Sequence, residues 1–358
     1  MQLFALDLGN RQVKLMSEKA TKVLPSYFVN AAEYGKRDVL ALVKKEEEQT
    51  THDYVSGRDS DFTYVWGTGL DISRKRVTDT LDFNRRYDTL EFKVLADLAL
   101  AELASDFKES TNNTIDVAVV TGVPTDDYDD DETIKHIRNA LIGVHSASID
   151  GIDHFVHVRS VDVLMQPVGT AIDAMVDALG NIKEDNDIED GYVGVVDVGG
   201  GTVIINAFDK MNLDTKNRVQ LEDGSYSLFT EIRNRIIDKG YKISEHEVEQ
   251  IVRDGNDKEV YTWSPNGRET LDFTEIVMKE RKLYTRNIAQ SVKSTFKAMS
   301  SMRKIYVTGG TANLLIKDEF TRVIKIAHFV HNSETANVRG YYKYGLINEV
   351  TTVDEDTN

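Results

Sequence analysis

The chain lacks several residue types and patterns, and each absence excludes a class of function. Its 358 residues include no cysteine, which rules out disulfides, cysteine-ligated zinc and thiol catalysis. Only four prolines are present, and no stretch rich in serine, glycine and proline separates two halves. Any two domains are therefore joined by structured crossings rather than by a flexible tether. No run approaches about 18 apolar residues, the length of a membrane-spanning helix.

Basic residues are scarce relative to acidic ones. The 43 Lys and Arg side chains are outnumbered by 60 Asp and Glu, which gives a net charge of −17. Because a nucleic-acid binder neutralises phosphates with Lys and Arg, this balance argues against direct binding of nucleic acid. The start MQLFALDLGN lacks the basic segment and the apolar run that together form a signal peptide. Neither end is a basic amphipathic helix. We therefore expect a soluble cytoplasmic protein that binds no membrane.

Short apolar runs alternate with helical patterns, which is typical of an α/β protein, and the length suggests two domains. Apolar residues recur at helical spacing in Leu90–Ala101 and in Ile276–Met299, which predicts a helix in each segment. The runs that favour buried strands are Leu3–Leu6, Val117–Val120, Val193–Val196, Val203–Ile205 and Ile305–Val307.

Two stretches are less regular. Residues from about 28 to 85 include the charge cluster Lys44–Glu48 and are interpreted as an insertion on a domain edge. The segment Asp126–Glu132 carries six acids in seven positions. A metal site is one interpretation of that segment. A solvated loop leading into a helix near Ile134 is the favoured one, because acidic side chains suit a helix N-terminus.

A self-match at an offset of 190 residues is the most informative pattern. Leu6–Gly9 (LDLG) aligns with Val196–Gly199 (VDVG), and each match continues through a short turn into a second apolar run. Such a pair predicts a β-hairpin whose turn amides bind an anion, whose glycine lets the backbone approach a phosphate, and whose Asp holds a hydrated Mg²⁺. Two copies facing each other would hold one nucleotide between two domains. The alternative is two unrelated hairpin turns.

A third glycine turn, Thr308–Asn313, follows the predicted strand Ile305–Val307 and precedes an apolar helix start. A strand, two glycines and a helix start together suit contact with a phosphate or a nucleoside.

These motifs resemble those of the superfamily of actins, heat-shock chaperones and sugar kinases, and most of all the plasmid-segregating bacterial actins of the ParM type. Two stretches, Arg86–Ala99 and Thr121–Pro124, resemble the ParM branch in particular. The superfamily motifs that the chain resembles are the first phosphate loop (Asp7–Lys14), the first connecting helix (Gln166–Thr170), the second phosphate loop (Asp197–Thr202), the adenosine motif (Gly309–Thr311) and the second connecting helix (Ala336–Tyr341).

The resemblance implies an actin-like (ribonuclease H-like) α/β fold of two domains, with duplicated mixed β-sheets and a nucleotide in the interdomain cleft. Domain I is expected at residues 1–160 and 333–358, with the edge insertion at about 28–85. Domain II is expected at 161–332. The crossings near 160 and 333 are expected to act as hinges.

The resemblance also assigns roles in the hydrolysis of ATP or GTP with Mg²⁺. Lys14 is assigned to the β- and γ-phosphates, and Asp7 and Asp197 to Mg²⁺, mostly through waters. Asp197 is a candidate to polarise the attacking water, which Gln166 would orient. An amide is not a strong base, which suits slow hydrolysis that acts as a timer. The other residues expected to contact the nucleotide are Gly9, Asn10, Arg11, Gly199, Gly200, Gly201, Thr202, Gly224, Ser225, Lys279, Gly309, Gly310 and Asn313.

Three smaller points leave alternatives open. Arg11 stands where the family usually has a small residue, and its side chain either reaches the phosphates or points to solvent. The tyrosines beside the second connecting helix favour core packing over stacking on a nucleotide (Tyr341, Tyr342 and Tyr344). The scattered histidines lack the i, i+4 spacing of metal ligands (His136, His145, His154 and His157).

In function, the resemblance implies a polymerising ATPase that forms head-to-tail filaments and moves plasmid DNA through a DNA-binding adaptor on a centromere-like site. One alternative is a bacterial actin of cell shape or division, but such proteins usually carry a membrane-binding terminal helix. Another is a non-polymerising ATPase or kinase. A chaperone needs a substrate domain after the ATPase, and a sugar kinase needs an acidic base that no motif here marks.

Overall fold

The computed structural model describes residues 1–34, 50–70, 77–80 and 86–355. The chain forms two compact units, one made of Met1–Lys183 with Asn337–Asn358 and the other of Glu184–Ala336. Residue 160, where the sequence analysis sets the first crossing, lies within a strand, Ile152–Met165, of the first unit. The reason is that this strand continues directly into a helix that packs against strands of the same unit.

The first unit is built on a mixed sheet of ten strands in the described residues. In chain order they are β1 (Gln2–Leu8), β2 (Gln12–Met16), β3 (Thr21–Pro25), β4 (Tyr27–Asn30), β5 (His52–Ser56), β6 (Tyr64–Trp66), β7 (Thr78–Asp79), β8 (Ile115–Val123), β9 (Gly143–Ile149) and β10 (Ile152–Met165). Across the sheet the order is β3-β2-β1-β8-β10-β9-β5-β6-β4-β7. Strands β1, β8 and β10 are parallel to one another, so their carboxyl ends lie at one edge.

The second unit is built on a smaller mixed sheet with five strands in the described residues. Its strands are β11 (Tyr192–Val198), β12 (Val203–Asp209), β13 (Asn212–Leu221), β16 (Lys304–Thr308) and β17 (Ala327–Phe329). Between β13 and β16 the chain forms a separate two-stranded sheet of β14 (Thr262–Trp263) and β15 (Leu271–Asp272). The order is β13-β12-β11-β16-β17, with β11 and β16 parallel. The predicted α/β class with two mixed sheets is confirmed.

Helices connect and cover these strands. They are α1 (Ala31–Tyr34), α2 (Leu90–Ala104), α3 (Thr125–Tyr128), α4 (Asp131–Leu141), α5 (Gln166–Met175), α6 (Ser225–Asp238), α7 (Glu245–Gly255), α8 (Thr274–Thr295), α9 (Lys317–Val323) and α10 (Ala336–Glu355). Among the described residues, no helix combines the length and the apolar character needed to span a bilayer.

Helix α2 shows how the sequence fixes the first core. Thr89 precedes the helix in an extended conformation, and its side chain accepts a hydrogen bond from the Phe92 amide, which satisfies one of the free N–H groups of the first turn. The residues from Phe92 onward are almost all apolar and buried, so the helix lies within the core instead of half in solvent. It packs against β9 and β10. Leu90, the first residue of the predicted stripe, is exposed.

The predicted insertion contributes part of the first sheet. Its described residues form β4 to β7, which end the strand order beyond β9. The charge cluster Lys44–Glu48 lies outside the described residues. The acidic segment Asp126–Glu132 falls at the junction of α3 and α4, where the Asp130 side chain caps α4 by accepting a hydrogen bond from the Glu132 amide at 3.2 Å.

Candidate functional site

The first glycine turn joins β1 to β2 and places a carboxylate beside an ammonium group. Asp7 and Lys14 face each other across this antiparallel hairpin. The Nζ atom of Lys14 lies 3.4 Å from Oδ2 of Asp7. The other carboxylate oxygen, Asp7 Oδ1, is buried and has no hydrogen-bond partner in the described part of the chain. A buried oxygen of this kind fits a hydrated cation, because the cation's waters would donate to it.

The second glycine turn joins β11 to β12 in the same register. Leu8 pairs with Val13 in the first hairpin, and Val198 pairs with Val203 in the second, so each turn spans four residues. The predicted pair of hairpins at an offset of 190 residues is therefore confirmed. Asp197 is buried at 5% exposure and lies beside Thr308 of the parallel strand β16.

Donors hold three backbone carbonyls of the first turn. Arg86 Nη2 donates to the Gly9 oxygen at 2.9 Å. The Ser26 hydroxyl donates to the Asn10 oxygen at 2.5 Å, and the Ser26 amide donates to the Arg11 oxygen at 3.0 Å. Carbonyl oxygens repel an anion, and these three are engaged in hydrogen bonds. The turn is thus arranged to offer amides rather than carbonyls to a phosphate.

The second turn has the same property, but its donors come from a helix. The oxygens of Gly199, Gly200 and Gly201 accept from the amides of Ser225 (3.1 Å), Tyr226 (3.0 Å) and Gly224 (3.2 Å) respectively. These amides lie at the start of α6. Gly224 and Ser225, two of the residues predicted to contact the nucleotide, therefore lie directly against the second glycine turn.

The third glycine turn packs against the second so closely that only glycine fits. Gly309 has φ +98°, in the left-handed region. A Cβ atom at this position would lie 2.3 Å from Oδ1 of Asp197 and 2.4 Å from the Val198 oxygen. Thr311 adds two bonds: its amide donates to Val198 O at 2.9 Å, and its hydroxyl to Gly199 O at 3.1 Å. The segment predicted to contact the adenosine therefore holds the second glycine turn in place.

A cavity of about 690 Å³ borders this third turn within the second unit. Asn313, which is predicted to lie near the adenosine, is exposed and lines this cavity together with Phe329 and Ser333. Ser333 bonds to Gly309 twice, since its carbonyl accepts from the Gly309 amide at 3.2 Å and its hydroxyl donates to the Gly309 oxygen at 3.1 Å. A cavity of this size can hold a small organic ligand.

Lys279 lies on α8 and is exposed, whereas its neighbour Glu280 is buried. Glu280 accepts from Arg235 of α6, with Nε and Oε1 3.1 Å apart. The hydroxyl of Tyr284, one turn further along α8, donates to the Asp223 oxygen at 3.0 Å. These bonds fix α8 to the last turn of α6 and to the residue before its N-cap, so Lys279 stands on a helix that is tied to the second glycine turn through α6.

Gln166 begins α5 at the carboxyl edge of the first sheet. Asp7 lies on β1 and Gln166 follows β10, with β8 between them, so the two strands are about 10 Å apart. The side chain of Gln166 is half-buried and makes no hydrogen bond within the described part of the chain. Its amide is thus available to a water molecule at the edge where Asp7 also lies.

The two predicted connecting helices, α5 and α10, touch at a pair of glycines. A Cβ atom on Gly340 would lie 1.8 Å from the Gly169 oxygen. Next to this contact, the Thr170 hydroxyl donates to Asn337 Oδ1 at 2.7 Å. The ring of Tyr341 is fully buried in the same region. The interpretation of Tyr341 as a core residue is therefore confirmed.

A buried ion cluster continues the contact between α5 and α10. Asp173 of α5 accepts from Arg339 Nη2 at 2.5 Å and from Lys343 Nζ at 2.7 Å. Lys343 also donates to the Val176 oxygen at 2.8 Å, just after the end of α5. A paired and hydrogen-bonded buried carboxylate of this kind fixes the relative position of two helices, and loss of one partner is costly.

Sequence reasoning did not identify the residues that hold the turns from behind. Arg86, Ser26 and Thr311 all donate to turn carbonyls. Arg86 and Thr311 lie in segments that resemble motifs of the family, and this resemblance is the one sequence signal that could have identified them. Ser26 lies in no such segment. Arg11 is half-buried, and its Nη2 atom is buried.

Comparison with protein families gives one match for each half of the chain. The family described as the N-terminal domain of actin-like proteins matches residues 5–169. The family described as the Alp7A C-terminal domain matches residues 192–344. No curated protein sequence matches the chain.

Solved structures with the same fold cover almost the whole chain. Apo pSK41 ParM is 22% identical, with a TM-score of 0.73 over 98% of each chain. ParM of Bacillus thuringiensis with ATP is 17% identical, with a TM-score of 0.69 over 98% of this chain and 99% of that one. The Alp12 filament structure is 14% identical, with a TM-score of 0.65 over 97% and 99%. At these identities the comparisons establish the fold.

Proposed function

Because the chain belongs to the actin-like proteins, we propose that it is a ParM-type, nucleotide-dependent ATPase that polymerises into filaments and segregates plasmid DNA through a DNA-bound adaptor. The observation that carries the proposal is the pair of hairpin turns in identical register, each following a buried Asp and each with its carbonyls held by donors. This arrangement suits phosphate at both turns.

We assign the phosphate contacts to the glycine turns and to one cation. The backbones of Gly9–Arg11 and Gly199–Thr202 contact the phosphates of ATP or GTP. Lys14 neutralises the β- and γ-phosphates, since its ammonium group is already placed at the first turn by its contact with Asp7. The adenosine end is assigned to Gly309, Gly310 and Asn313, with Lys279 on α8.

Mg²⁺ fits the carboxylates of this chain. Asp7 Oδ1 is a buried acceptor without a partner in the described residues, and Asp197 is a second buried carboxylate at the equivalent position. The ion would supply charge neutralisation at the phosphates. Asp197 accepts a proton or a hydrogen bond from the attacking water, and the Gln166 amide orients that water. Since Gln166 is not a base, hydrolysis is expected to be slow.

Polymerisation and DNA segregation are proposed from the family. The net charge of −17 supports an indirect link to DNA, because DNA phosphates repel an acidic protein and a basic adaptor attracts them. The same proposal places the protein in the cytoplasm without a membrane partner.

Two measurements test the proposal. Phosphate release from ATP with Mg²⁺, and its loss on chelation, tests the ATPase. Sedimentation with ATP, with ADP and without nucleotide tests the polymer, and pelleting with ATP is expected. Failure to sediment with ATP across a range of salt and Mg²⁺ concentrations would favour a non-polymerising ATPase or kinase.

A further inference from the structure

A buried arginine lies behind the first glycine turn. Arg86 belongs to a short 3-10 helix, Arg86–Asp88, that precedes α2, and it is only 8% exposed. Its Nη2 atom donates to the Gly9 carbonyl oxygen at 2.9 Å, although the two residues lie far apart in the chain. Gly9 follows Leu8, the last residue of β1, and begins the turn. A side chain from outside the hairpin therefore holds the first peptide of the turn.

The guanidinium group is held on several sides. Its Nε atom donates to the Thr80 oxygen at 3.1 Å, and Nη2 donates to the Thr80 hydroxyl at 3.0 Å. The rings of Phe92 and Tyr87 lie 5.3 and 5.7 Å from Arg86 Cζ. Because the guanidinium is planar and its donors form a rigid fork, these contacts fix the direction of the bond to Gly9.

The group also carries charge to the back of the turn. Burial lowers the pKa of Arg86, and the nearby Tyr87 and Asp7 oppose that shift. A guanidinium nevertheless stays protonated in proteins. Hydrogen bonds from a charged donor are stronger than neutral ones, so the Gly9 carbonyl is held more firmly than by an amide.

We propose that Arg86 is the positioning residue of the first phosphate turn, which it keeps in the conformation that presents amides to the nucleotide by holding the Gly9 carbonyl. The inference rests on the proposed function. Without Arg86, the peptide that contains the Gly9 oxygen is free to rotate, and a carbonyl that faces the phosphates opposes binding.

The second turn is held in a different way. Its carbonyls are held by backbone amides at the start of α6, which no side-chain substitution removes. In the described residues, no helix amide bonds to the first turn, whose Gly9 oxygen is held by Arg86 and whose Asn10 oxygen is held by the Ser26 hydroxyl at 2.5 Å. Side chains therefore hold the Gly9 and Asn10 oxygens of the first turn, whereas backbone amides hold the oxygens of Gly199, Gly200 and Gly201 in the second.

The test measures ATP affinity and steady-state phosphate release of the full chain with Mg²⁺ for three variants. Arg86→Met removes the donors and keeps apolar contact with the rings, and it is expected to weaken ATP binding about ten- to a hundredfold. Arg86→Lys keeps the charge without the fork and is expected to fall between Arg86→Met and wild type. Tyr87→Phe is the control, since it loses a 2.6 Å bond to Asp127 and the hydroxyl contact with Arg86 but keeps the ring and the bond from Arg86 to Gly9.

A purely structural role for Arg86 predicts a different result. Arg86→Met would then unfold more easily but bind ATP as wild type does, and the proposal would be overturned. If Arg86→Met fails to fold, Arg86→Lys and Ser26→Ala decide: wild-type affinity in both contradicts the proposal, and weakened affinity with normal unfolding in both supports it. Wild-type protein that binds no nucleotide would instead refute the proposed function, and this inference with it.

Discussion

Lys14 faces Asp7 across the first hairpin, with Nζ 3.4 Å from Oδ2, whereas Ile204 faces Asp197 in the same register of the second hairpin. The two glycine turns are therefore alike in backbone and unlike in charge. The repeat supplies two glycine turns and two carboxylates, but a cation faces the carboxylate in the first hairpin alone. This difference gives the two halves separate roles in the proposed reaction.

Replacement of Lys14 by methionine tests the cation. Lys14→Met keeps the length of the side chain and removes its charge, so the phosphates lose an electrostatic partner. Phosphate release is expected to fall about 100-fold or more. Lys22→Met is a suitable control, because Lys22 is half-buried in neighbouring β3 and pairs with Glu102 and Asp106 instead. Equal turnover in wild type and Lys14→Met would contradict the assignment.

Asp197→Ala is expected to abolish hydrolysis, because the proposed water-polarising carboxylate is lost. The effect should appear as loss of phosphate release, with the folded state retained in far-UV circular dichroism. Asp209→Ala serves as the control, since Asp209 ends β12 of the same hairpin but is exposed. Unchanged turnover in Asp197→Ala refutes the role given to this residue.

Gln166→Ala is expected to slow phosphate release while filaments still form with ATP. The reason is that the amide orients a water in the chemical step and has no part in nucleotide binding. Both quantities are measured on one sample, by phosphate release and by sedimentation. Gln290→Ala, an exposed amide on α8, is the control. Filaments that vanish while hydrolysis persists would show that Gln166 acts in assembly instead.

Gly309→Ala is expected to destabilise the second unit and to impair nucleotide binding. Gly240 has a similar positive φ, +93° against +98°, but nothing lies within 4 Å of the position of its Cβ. Gly240→Ala should therefore cost about 1–2 kcal/mol of unfolding free energy from backbone strain alone. Gly309→Ala adds the clash with Asp197 and Val198, so its unfolding free energy should fall by more than that of Gly240→Ala. Equal losses in urea titrations would show that crowding at Asp197 is unimportant.

Gly340→Ala tests the contact of the two connecting helices. Alanine favours a helix over glycine by about 1 kcal/mol, but the new methyl group would meet the backbone of Gly169, which cannot move aside easily. A net loss of unfolding free energy is expected. In Gly345→Ala, on the same helix, the methyl group meets the flexible side chain of Leu3, so the loss should be smaller. Greater damage from Gly345→Ala would contradict this account of the helix contact.

The local parts of the fold could be predicted from the sequence. Strand, Asp, glycine and strand follow one another within a dozen residues, and the pattern at Asp7 recurs at Asp197, so both hairpins were visible. Helix α2 was visible from its apolar spacing, although it is buried on more sides than one stripe indicates. Tyr341 was predicted to be a core residue, and its burial confirms this prediction.

The parts that depend on distant contacts could not be predicted. No local pattern tells that Arg86 reaches Gly9, or that Thr311 and Ser225 both donate to Gly199. The end of the first unit's main segment has no local signal near residue 160 either, because β10 passes through that residue and joins α5 without a break. The roles of the site residues remain predictions.

Electron microscopy of the purified protein with ATP and Mg²⁺ tests the central claim most directly. We predict filaments with ATP, few or none without nucleotide, and none with ATP for a chain that carries Asp7→Ala and Asp197→Ala together. If the micrographs show only monomers, under conditions in which the protein binds and hydrolyses ATP, the claim that this ATPase works as a polymer is contradicted.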